Sequence, residues 1–313
     1  MTEKEKFKKY GYVIIKNAFT IDEIKNLRKL CYKAFDQLKS KEVSSDINLK
    51  NNRQLTNEAF IKNSDLLNSL FKKNIVDKVK KVLGDDYITF ADFSLNNNLH
   101  SPVWHTDTQL IGFSTKYVYS PSFNVAKLGL YLQEDDEIYG GQLDLIPGSH
   151  LPTFLGVNSP ISFKSRYGKV SKLQLLAILI RNKFLKKISV NVSLGDVILF
   201  HGLLWHRSSQ PNWRKLKQID RYGILDQPRN KRKFMIQWEV SENNEFARFY
   251  ATHKFKLYHE KSHDSTKYNL EDYPDSSKNM FESNKISIKT FSDLKIPIDG
   301  NIKSKDGTPI IFP

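Results

Sequence analysis

The sequence contains a single cysteine, Cys31, among 313 residues. One thiol cannot form an internal disulfide, so nothing in the composition requires an oxidising compartment. The longest apolar run, residues 175–180, is far too short to span a bilayer, and the charged residues 1–12 lack the apolar core of a signal peptide. We therefore expect a soluble, cytoplasmic protein.

The sequence also lacks internal repeats and a glycine-rich phosphate loop, and acidic residues are scarce in one block. The net charge is +15; residues 160–240 hold 17 Lys/Arg against 4 Asp/Glu, whereas residues 241–313 hold 11 of each. Such a block indicates an anionic partner: phosphate, a carboxylate-rich glycan, nucleic acid or a membrane surface. The alternative is compositional, because the chain is rich in Lys, Asn and Ile and lysine-rich faces are often only solvated. Sequence-specific nucleic-acid binding is not expected, and the oligomeric state does not follow from the sequence.

Aromatic residues are plentiful, with 20 Phe, 14 Tyr and 4 Trp, which is typical of a packed globular protein. Residues 11–18 predict a short buried strand. Thr20 followed by Glu23 forms a capping-box pattern, so a helix is expected directly after Thr20. Residues 65–84 predict a second helix, which ends at Gly84.

Beyond these helices the pattern changes to short apolar runs separated by turn residues. This pattern predicts an antiparallel sandwich or barrel flanked by the N-terminal helices. Residues 171–187 interrupt it and predict a basic amphipathic helix, which either lies in a membrane headgroup region or packs on the barrel. We interpret residues 1–240 as one domain with a basic insertion near 160–190. Residues 241–313, where the signals weaken, are expected to be a C-terminal extension that packs on the same domain and wraps its surface.

A candidate metal site begins at His105-Thr106-Asp107. Side chains alternate along a strand, so His105 and Asp107 point to the same side. Two imidazoles and one carboxylate hold iron while leaving coordination positions open, and residues 195–212 offer His201 and His206 as the third ligand. The residues alone leave two other interpretations open: a zinc enzyme, which uses the same ligand types, and a non-enzymatic β-barrel module that binds an anionic surface.

Four segments in this order resemble the phytanoyl-CoA dioxygenase family of Fe(II)/2-oxoglutarate oxygenases. They are YGYVIIKNAFTIDEIKNLR (10–28), WHTD (104–107), GGQLDLIPGSH (140–150) and GDVILFHGLLWHRSSQPN (195–212), and the resemblance extends over residues 7–240. It implies a mainly β fold with flanking helices, built on a double-stranded β-helix, which is a jelly-roll, cupin-like barrel. It also implies Fe(II), 2-oxoglutarate and O2 as cofactor and cosubstrates.

Carried over by position, the resemblance implies that His105, Asp107 and His206 are the iron ligands and catalytic residues. It places His201 inside a strand rather than at the metal. Ser208, two residues after the distal histidine, matches a hydroxyl position that contacts 2-oxoglutarate.

The far carboxylate of 2-oxoglutarate needs a cation, and arginine suits it because its planar fork binds a carboxylate bidentately. At the family's position, about ten residues after the distal histidine, this sequence has Leu216 and Lys217. We favour Arg221, at the start of an expected strand, over Arg214 as the anchor. Tyr131 is expected to line the cosubstrate pocket. The family's lysine upstream of the first ligand pair is not evident, and residues 96–98 are asparagines.

The activity implied is hydroxylation of an unactivated C–H bond with release of succinate and carbon dioxide. The carboxylate of Asp107 is present, which favours hydroxylation over halogenation. Because the basic block indicates negative charge on the partner, we expect a small-molecule or lipid-linked anionic substrate, such as a phosphorylated or carboxylated sugar lipid, and peripheral contact with a membrane.

Overall fold

A computed structural model gives the structure of the protein. It describes residues 1–38, 41–42, 53–97, 104–108, 120, 122–134, 138, 140, 142–151, 180, 186–209, 212, 215, 233–260, 267–290 and 293.

Seven α-helices lie in the described residues, mostly before the β-rich part of the chain and after it. They are α1 (Glu3–Tyr10), α2 (Ile21–Gln37), α3 (Asn57–Ile61), α4 (Ser64–Ser69), α5 (Lys73–Leu83), α6 (Glu245–Glu260) and α7 (Asp275–Ser283). None of them combines the length and the apolar character needed to cross a membrane.

The strands of the described residues are mostly short. They are β1 (Tyr12–Ile15), β2 (Lys41–Glu42), β3 (Arg53–Leu55), β4 (Ile88–Asn97), β5 (Val125–Tyr131), β6 (Leu143–Leu145), β7 (Ile188–Val190), β8 (Val197–His201), β9 (His206–Ser208), β10 (Phe234–Ser241) and β11 (Ser287–Lys289).

These strands form two sheets. The large sheet runs in the order β1-β8-β5-β10-β4-β3-β2 with antiparallel pairing, and β11 adds to β4 in parallel. The small sheet is antiparallel in the order β7-β6-β9. Strand order and alternation match a double-stranded β-helix with flanking helices, so the predicted fold class is confirmed.

One hydrophobic cluster lies between the two sheets and a larger one lies between the large sheet and the helices. The first consists of Tyr131, Leu143, Leu145, Val190, Val192, Ile198, Phe200, Leu204 and Met235. On the opposite face of the large sheet, Phe234 and Trp238 pack with α2 residues such as Leu27 and Cys31. Strand alternation therefore assigns each side chain of β5 and β10 either to the space between the sheets or to the helices.

The N-terminal elements follow local signals. The predicted capping box at the start of α2 is confirmed: Glu23 N donates to Thr20 Oγ1 at 3.2 Å, and Thr20 N donates to the Glu23 carboxylate at 2.7 Å. The single helix predicted over 65–84 is wrong, because α4 ends at Ser69 and α5 begins at Lys73. Leu70 and Phe71 at the break are buried, so core packing outweighs helix propensity there.

Residues of the C-terminal part, 241–313, contribute to the core and to the large sheet in addition to covering the surface. Helix α6 places Phe249, Tyr250 and Phe255 in the main core, and β11 extends the large sheet. The predicted basic helix 171–187 lies outside the described residues, except for Ile180, which is exposed, and the two residues before β7.

Candidate active site

The two predicted metal-ligand histidines lie side by side at the edge of the small sheet. His105 N donates to His206 O and His206 N donates to His105 O, both at 3.0 Å, which is a narrow antiparallel bridge. The ring centroids are 4.4 Å apart at an interplanar angle of 53°. Backbone pairing thus brings together two residues from distant parts of the chain.

Asp107 completes the cluster. Its N–H donates to Gly202 O at 3.0 Å, which fixes the backbone beside the turn between β8 and β9. One ligand atom from each of His105, Asp107 and His206 lies within 4.8 Å of the others, and Asp107 and His206 are buried. The structure therefore brings all three predicted ligands together.

His206 is oriented for metal binding by its second nitrogen. Its Nδ1 lies 2.8 Å from Leu204 O, so Nδ1 carries the proton and Nε2 presents its lone pair toward Asp107, 3.8 Å from Oδ1. Burial lowers the pKa of His206 to about 3, with a further contribution from His105. The imidazole is neutral at physiological pH, which is the form that binds a metal.

The carboxylate of Asp107 is asymmetric. Oδ1 lies 3.0 Å from Lys127 Nζ, whereas Oδ2 is buried without a hydrogen-bond donor among the described residues. Burial alone would raise the pKa of Asp107, but Lys127 and the two histidines hold it well below its usual range. An ionised, buried oxygen with no donor is costly unless a cation fills the position, so these residues fit a divalent metal.

His201 is not part of this cluster. Its Nε2 lies 2.8 Å from Phe123 O, its Nδ1 accepts from Leu203 N at 3.1 Å, and its ring packs on His150. Burial lowers its pKa to about 3. His201 therefore supports the turn that leads to His206. It is the last residue of β8 and lies in a strand rather than in the metal cluster, as the resemblance implies.

Ser208 and Tyr131 both face the space between the sheets. Ser208 is on the same face of β9 as His206, and Tyr131 belongs to the cluster between the sheets. Ser208 Oγ accepts a hydrogen bond from Lys233 Nζ at 2.7 Å. Lys233 comes directly before β10 and shares the face of Met235, which is paired with Tyr131.

Lys233 was missed by sequence reasoning. The residue is buried, and burial lowers the pKa of its amine to about 7. The sequence feature that could have indicated it is a lysine directly before an apolar strand, two positions before Met235, so that both side chains point between the sheets. The expected anchors Arg221 and Arg214 lie outside the described residues, as does Lys217.

Asn96 takes the inward position on β4 near the place where the family carries a lysine. It accepts from Gln54 Nε2 at 2.9 Å, and its amide lies 3.3 Å from Gln237 Oε1. Asn97 faces the opposite side of the sheet. At this position Asn96 therefore contributes a neutral amide, rather than a cation, to the space between the sheets.

Two cations of the basic block face away from the metal cluster. Lys187 Nζ and Arg207 Cζ lie 5.8 and 4.9 Å from the ring centroid of Trp104, and Arg207 Nε is 3.0 Å from Asp144 Oδ2. Because Arg207 alternates with His206 and Ser208, it lies on the outer face of the small sheet.

Residues 7–215 match the family model for phytanoyl-CoA dioxygenase (PhyH), which is more than half of the chain. Comparison with curated proteins found no significant match.

Solved structures with a similar fold include two enzymes from nogalamycin biosynthesis and EctD. The non-heme alpha ketoglutarate dependent epimerase SnoN from nogalamycin biosynthesis aligns at a TM-score of 0.53 and 12% identity, covering 77% of this chain and 81% of that chain. The carbocyclase SnoK from the same pathway aligns at 0.53 and 13%, covering 77% and 83%. EctD from S. alaskensis in its apoform aligns at 0.50 and 18%, covering 76% and 75%. At these identities the likeness shows the fold.

Proposed function

Because the chain belongs to the phytanoyl-CoA dioxygenase family of Fe(II)- and 2-oxoglutarate-dependent oxygenases, we propose that it hydroxylates an unactivated C–H bond of a small anionic substrate. Succinate and carbon dioxide are the other products. The observation that carries the proposal is the cluster of His105, Asp107 and His206, in which, among the described residues, the His206 Nε2 lone pair points toward Asp107 and one Asp107 oxygen has no donor.

His105, Asp107 and His206 would hold one Fe(II). The bound iron supplies the oxidising chemistry, in which 2-oxoglutarate is consumed. SnoN, which shares the fold, has been crystallised with Fe3+ and alpha ketoglutarate. The protein positions the ligands in advance: the bridge between His105 and His206 fixes both rings, and the Leu204 carbonyl fixes the tautomer of His206.

We assign the far carboxylate of 2-oxoglutarate to Lys233 and Ser208 among the described residues. Lys233 is a buried amine whose hydrogen bond in the described residues goes to a neutral hydroxyl, so it has unused charge for a carboxylate. Ser208 is two residues from His206, so a short dicarboxylate spans the distance from the metal to Lys233. Tyr131, opposite Met235, lines this part of the interior. Arg221 stays the alternative anchor.

The anionic character of the substrate is supported by the concentration of positive charge in residues 160–240. Among its described members, Lys233 is turned inward, whereas Lys187 and Arg207 lie against Trp104 on the outer face. A phosphorylated or carboxylated sugar lipid at a membrane surface fits this charge, and the helix predicted over 171–187 would then face the anionic headgroups.

The reaction class is tested by measuring succinate formed from 2-oxoglutarate with added Fe(II). We expect succinate formation with Fe(II). A chelator should abolish it, and adding Zn(II) afterwards should not restore it. Asp107→Ala should abolish turnover while the circular-dichroism spectrum stays unchanged. Asp144→Asn is the matched control, because Asp144 lies on the outer face of the small sheet, paired with Arg207 and turned away from the metal cluster. Full turnover in Asp107→Ala would contradict the assignment.

The same assay tests the substrate class. Phosphorylated or carboxylated sugars should raise succinate formation above the rate without substrate, whereas their neutral analogues should not. Equal stimulation by charged and neutral analogues would contradict an anionic substrate and leave the reaction class intact.

A further inference from the structure

A row of buried side chains with alternating charge extends away from the proposed metal cluster. Lys127 Nζ lies 3.0 Å from Asp107 Oδ1 and 3.8 Å from Glu239 Oε1. Glu239 Oε2 lies 2.6 Å from Lys254 Nζ, and Lys254 also pairs with Asp92. The side chains of Glu239 and Lys254 are 3% and 5% exposed, so these ion pairs are shielded from water.

The order of the charges explains why they tolerate burial. An isolated buried charge destabilises the fold, and each charged side chain in this row has a neighbour of opposite sign. Burial alone would lower the pKa of Lys254, but the carboxylates of Asp92 and Glu239 raise it well above its usual range. In the part of the chain that the structure describes, three carboxylates and two ammonium groups leave one negative charge in excess, and Asp107, with one oxygen that has no donor there, is where a cation would offset it.

Lys127 distinguishes the two oxygens of Asp107. The Lys127 ammonium group pairs with Oδ1, the oxygen that lies 3.8 Å from His206 Nε2, whereas Oδ2 has no hydrogen-bond donor among the described residues. A carboxylate held only by its backbone can turn and bind a metal through both oxygens, which would use a coordination position that 2-oxoglutarate needs. A lysine on one oxygen opposes this rotation because its own position is fixed by Glu239.

The residues that fix Lys127 come from the C-terminal part of the chain. Glu239 is on β10 and Lys254 is on α6, and both lie beyond residues 7–215, which match the family model. Tyr250, one turn before Lys254 on α6, lies with its hydroxyl 3.4 Å from Glu239 Oε1. Helix α6 therefore contributes two polar contacts to the group that holds Lys127.

We propose that Lys127 is a positioning residue that restricts Asp107 to one metal-binding oxygen, and that α6 holds Lys127 in place through Lys254 and Glu239. The inference rests on the proposed metal site. Helix α6 would then have two roles: it packs in the core, and it helps to orient the metal ligand Asp107 through Lys254, Glu239 and Lys127.

The test uses Co(II) as a spectroscopic probe in the full-length protein. Lys127→Met should keep a stoichiometry of one Co(II) but change the visible d–d spectrum, and the Kd for 2-oxoglutarate should rise about tenfold. Lys254→Met should change the spectrum in the same direction. Lys256→Met is the matched control, because Lys256 is exposed on the same helix and should behave as wild type.

A double-mutant comparison separates a relay from general destabilisation. If Lys254 acts through Lys127, adding Lys254→Met to Lys127→Met should cause no further spectral change. Glu239→Gln combined with Lys254→Met removes one charge of each sign, so it is the variant to use if a single substitution does not fold. Its spectrum should differ from the wild-type spectrum in the same direction as that of Lys127→Met.

The outcomes distinguish this inference from the proposed function. A wild-type spectrum in Lys127→Met, or additive effects of Lys127→Met and Lys254→Met, would overturn the positioning role while the metal site stands. Absence of Co(II) binding by the wild-type protein would overturn the metal site and this inference with it.

Discussion

At the scale of single residues, the cluster of the proposed metal ligands could be predicted, and the lysines beside it could not. His105 and Asp107 are two positions apart, so their motif is visible in the sequence, but in the structure His105 forms a single bridge and Asp107 lies in a 3-10 turn rather than in the expected strand. Lys233 reaches Ser208 from 25 positions away, a distance that depends on how the chain returns to the sheet. Lys127 belongs to the same class, because its contact with Asp107 joins β5 to a segment outside that strand. Sequence spacing favours Arg221, which lies outside the described residues, and nothing local to Lys233 reveals that this lysine is buried.

The choice between the two anchors gives a direct prediction. Lys233→Met should raise the Kd for 2-oxoglutarate of the Co(II)-loaded protein about ten- to hundredfold, because a hydrogen bond to a charged group contributes about 1.5–3 kcal/mol. Arg221→Ala should leave the Kd near the wild-type value. Calorimetric titration of the three proteins measures this. The reverse pattern would return the anchor to Arg221.

The affinity for 2-oxoglutarate should also depend on pH. The pKa of Lys233 is about 7 without a carboxylate beside it, so above pH 7 the free site loses its positive charge. A bound carboxylate raises the pKa of the amine, so binding takes up a proton and the Kd rises by up to about tenfold per pH unit above 7. Lys233→Arg stays charged and should lose this dependence. An equal slope in both proteins, titrated between pH 6.5 and 9, would exclude Lys233 as its cause.

At the scale of elements, the sequence predicts an element best where the signal is local. The start of α2 follows from the Thr20–Glu23 capping box, which needs only four consecutive residues. The break between α4 and α5 was missed because it depends on burying Leu70 and Phe71 against the core, and a periodic pattern does not contain that information.

Helix α6 shows the same limit. Its charged residues and weak periodicity do not indicate a core element, yet Lys254 is buried because Asp92 and Glu239 neutralise it. A buried lysine in a helix is interpretable only after its acidic partners are known, and here they lie on β4 and β10. No local pattern in the sequence connects this helix to the proposed metal site.

At the scale of the whole molecule, the fold class and the family were predictable because several motifs occur in a fixed order. The order of WHTD, GGQLDLIPGSH and GDVILFHGLLWHRSSQPN carries more information than any one of them. The partition of the interior could not be predicted: an apolar cluster between the sheets, and a polar path that includes the metal ligands, Ser208 and Lys233. That partition depends on register, and a shift by one residue would turn each of these side chains to the opposite face.

We propose that His105, Asp107 and His206 hold one catalytic iron. The most direct measurement is a crystal structure of the protein loaded anaerobically with Fe(II), with anomalous data collected at the iron edge. We predict one peak between the two sheets, about 2.0–2.2 Å from one nitrogen of each histidine and from one carboxylate oxygen of Asp107, by analogy with other nitrogen and oxygen metal ligands. An iron peak bound elsewhere, or no peak at this cluster in a crystal soaked to saturation, would contradict the account.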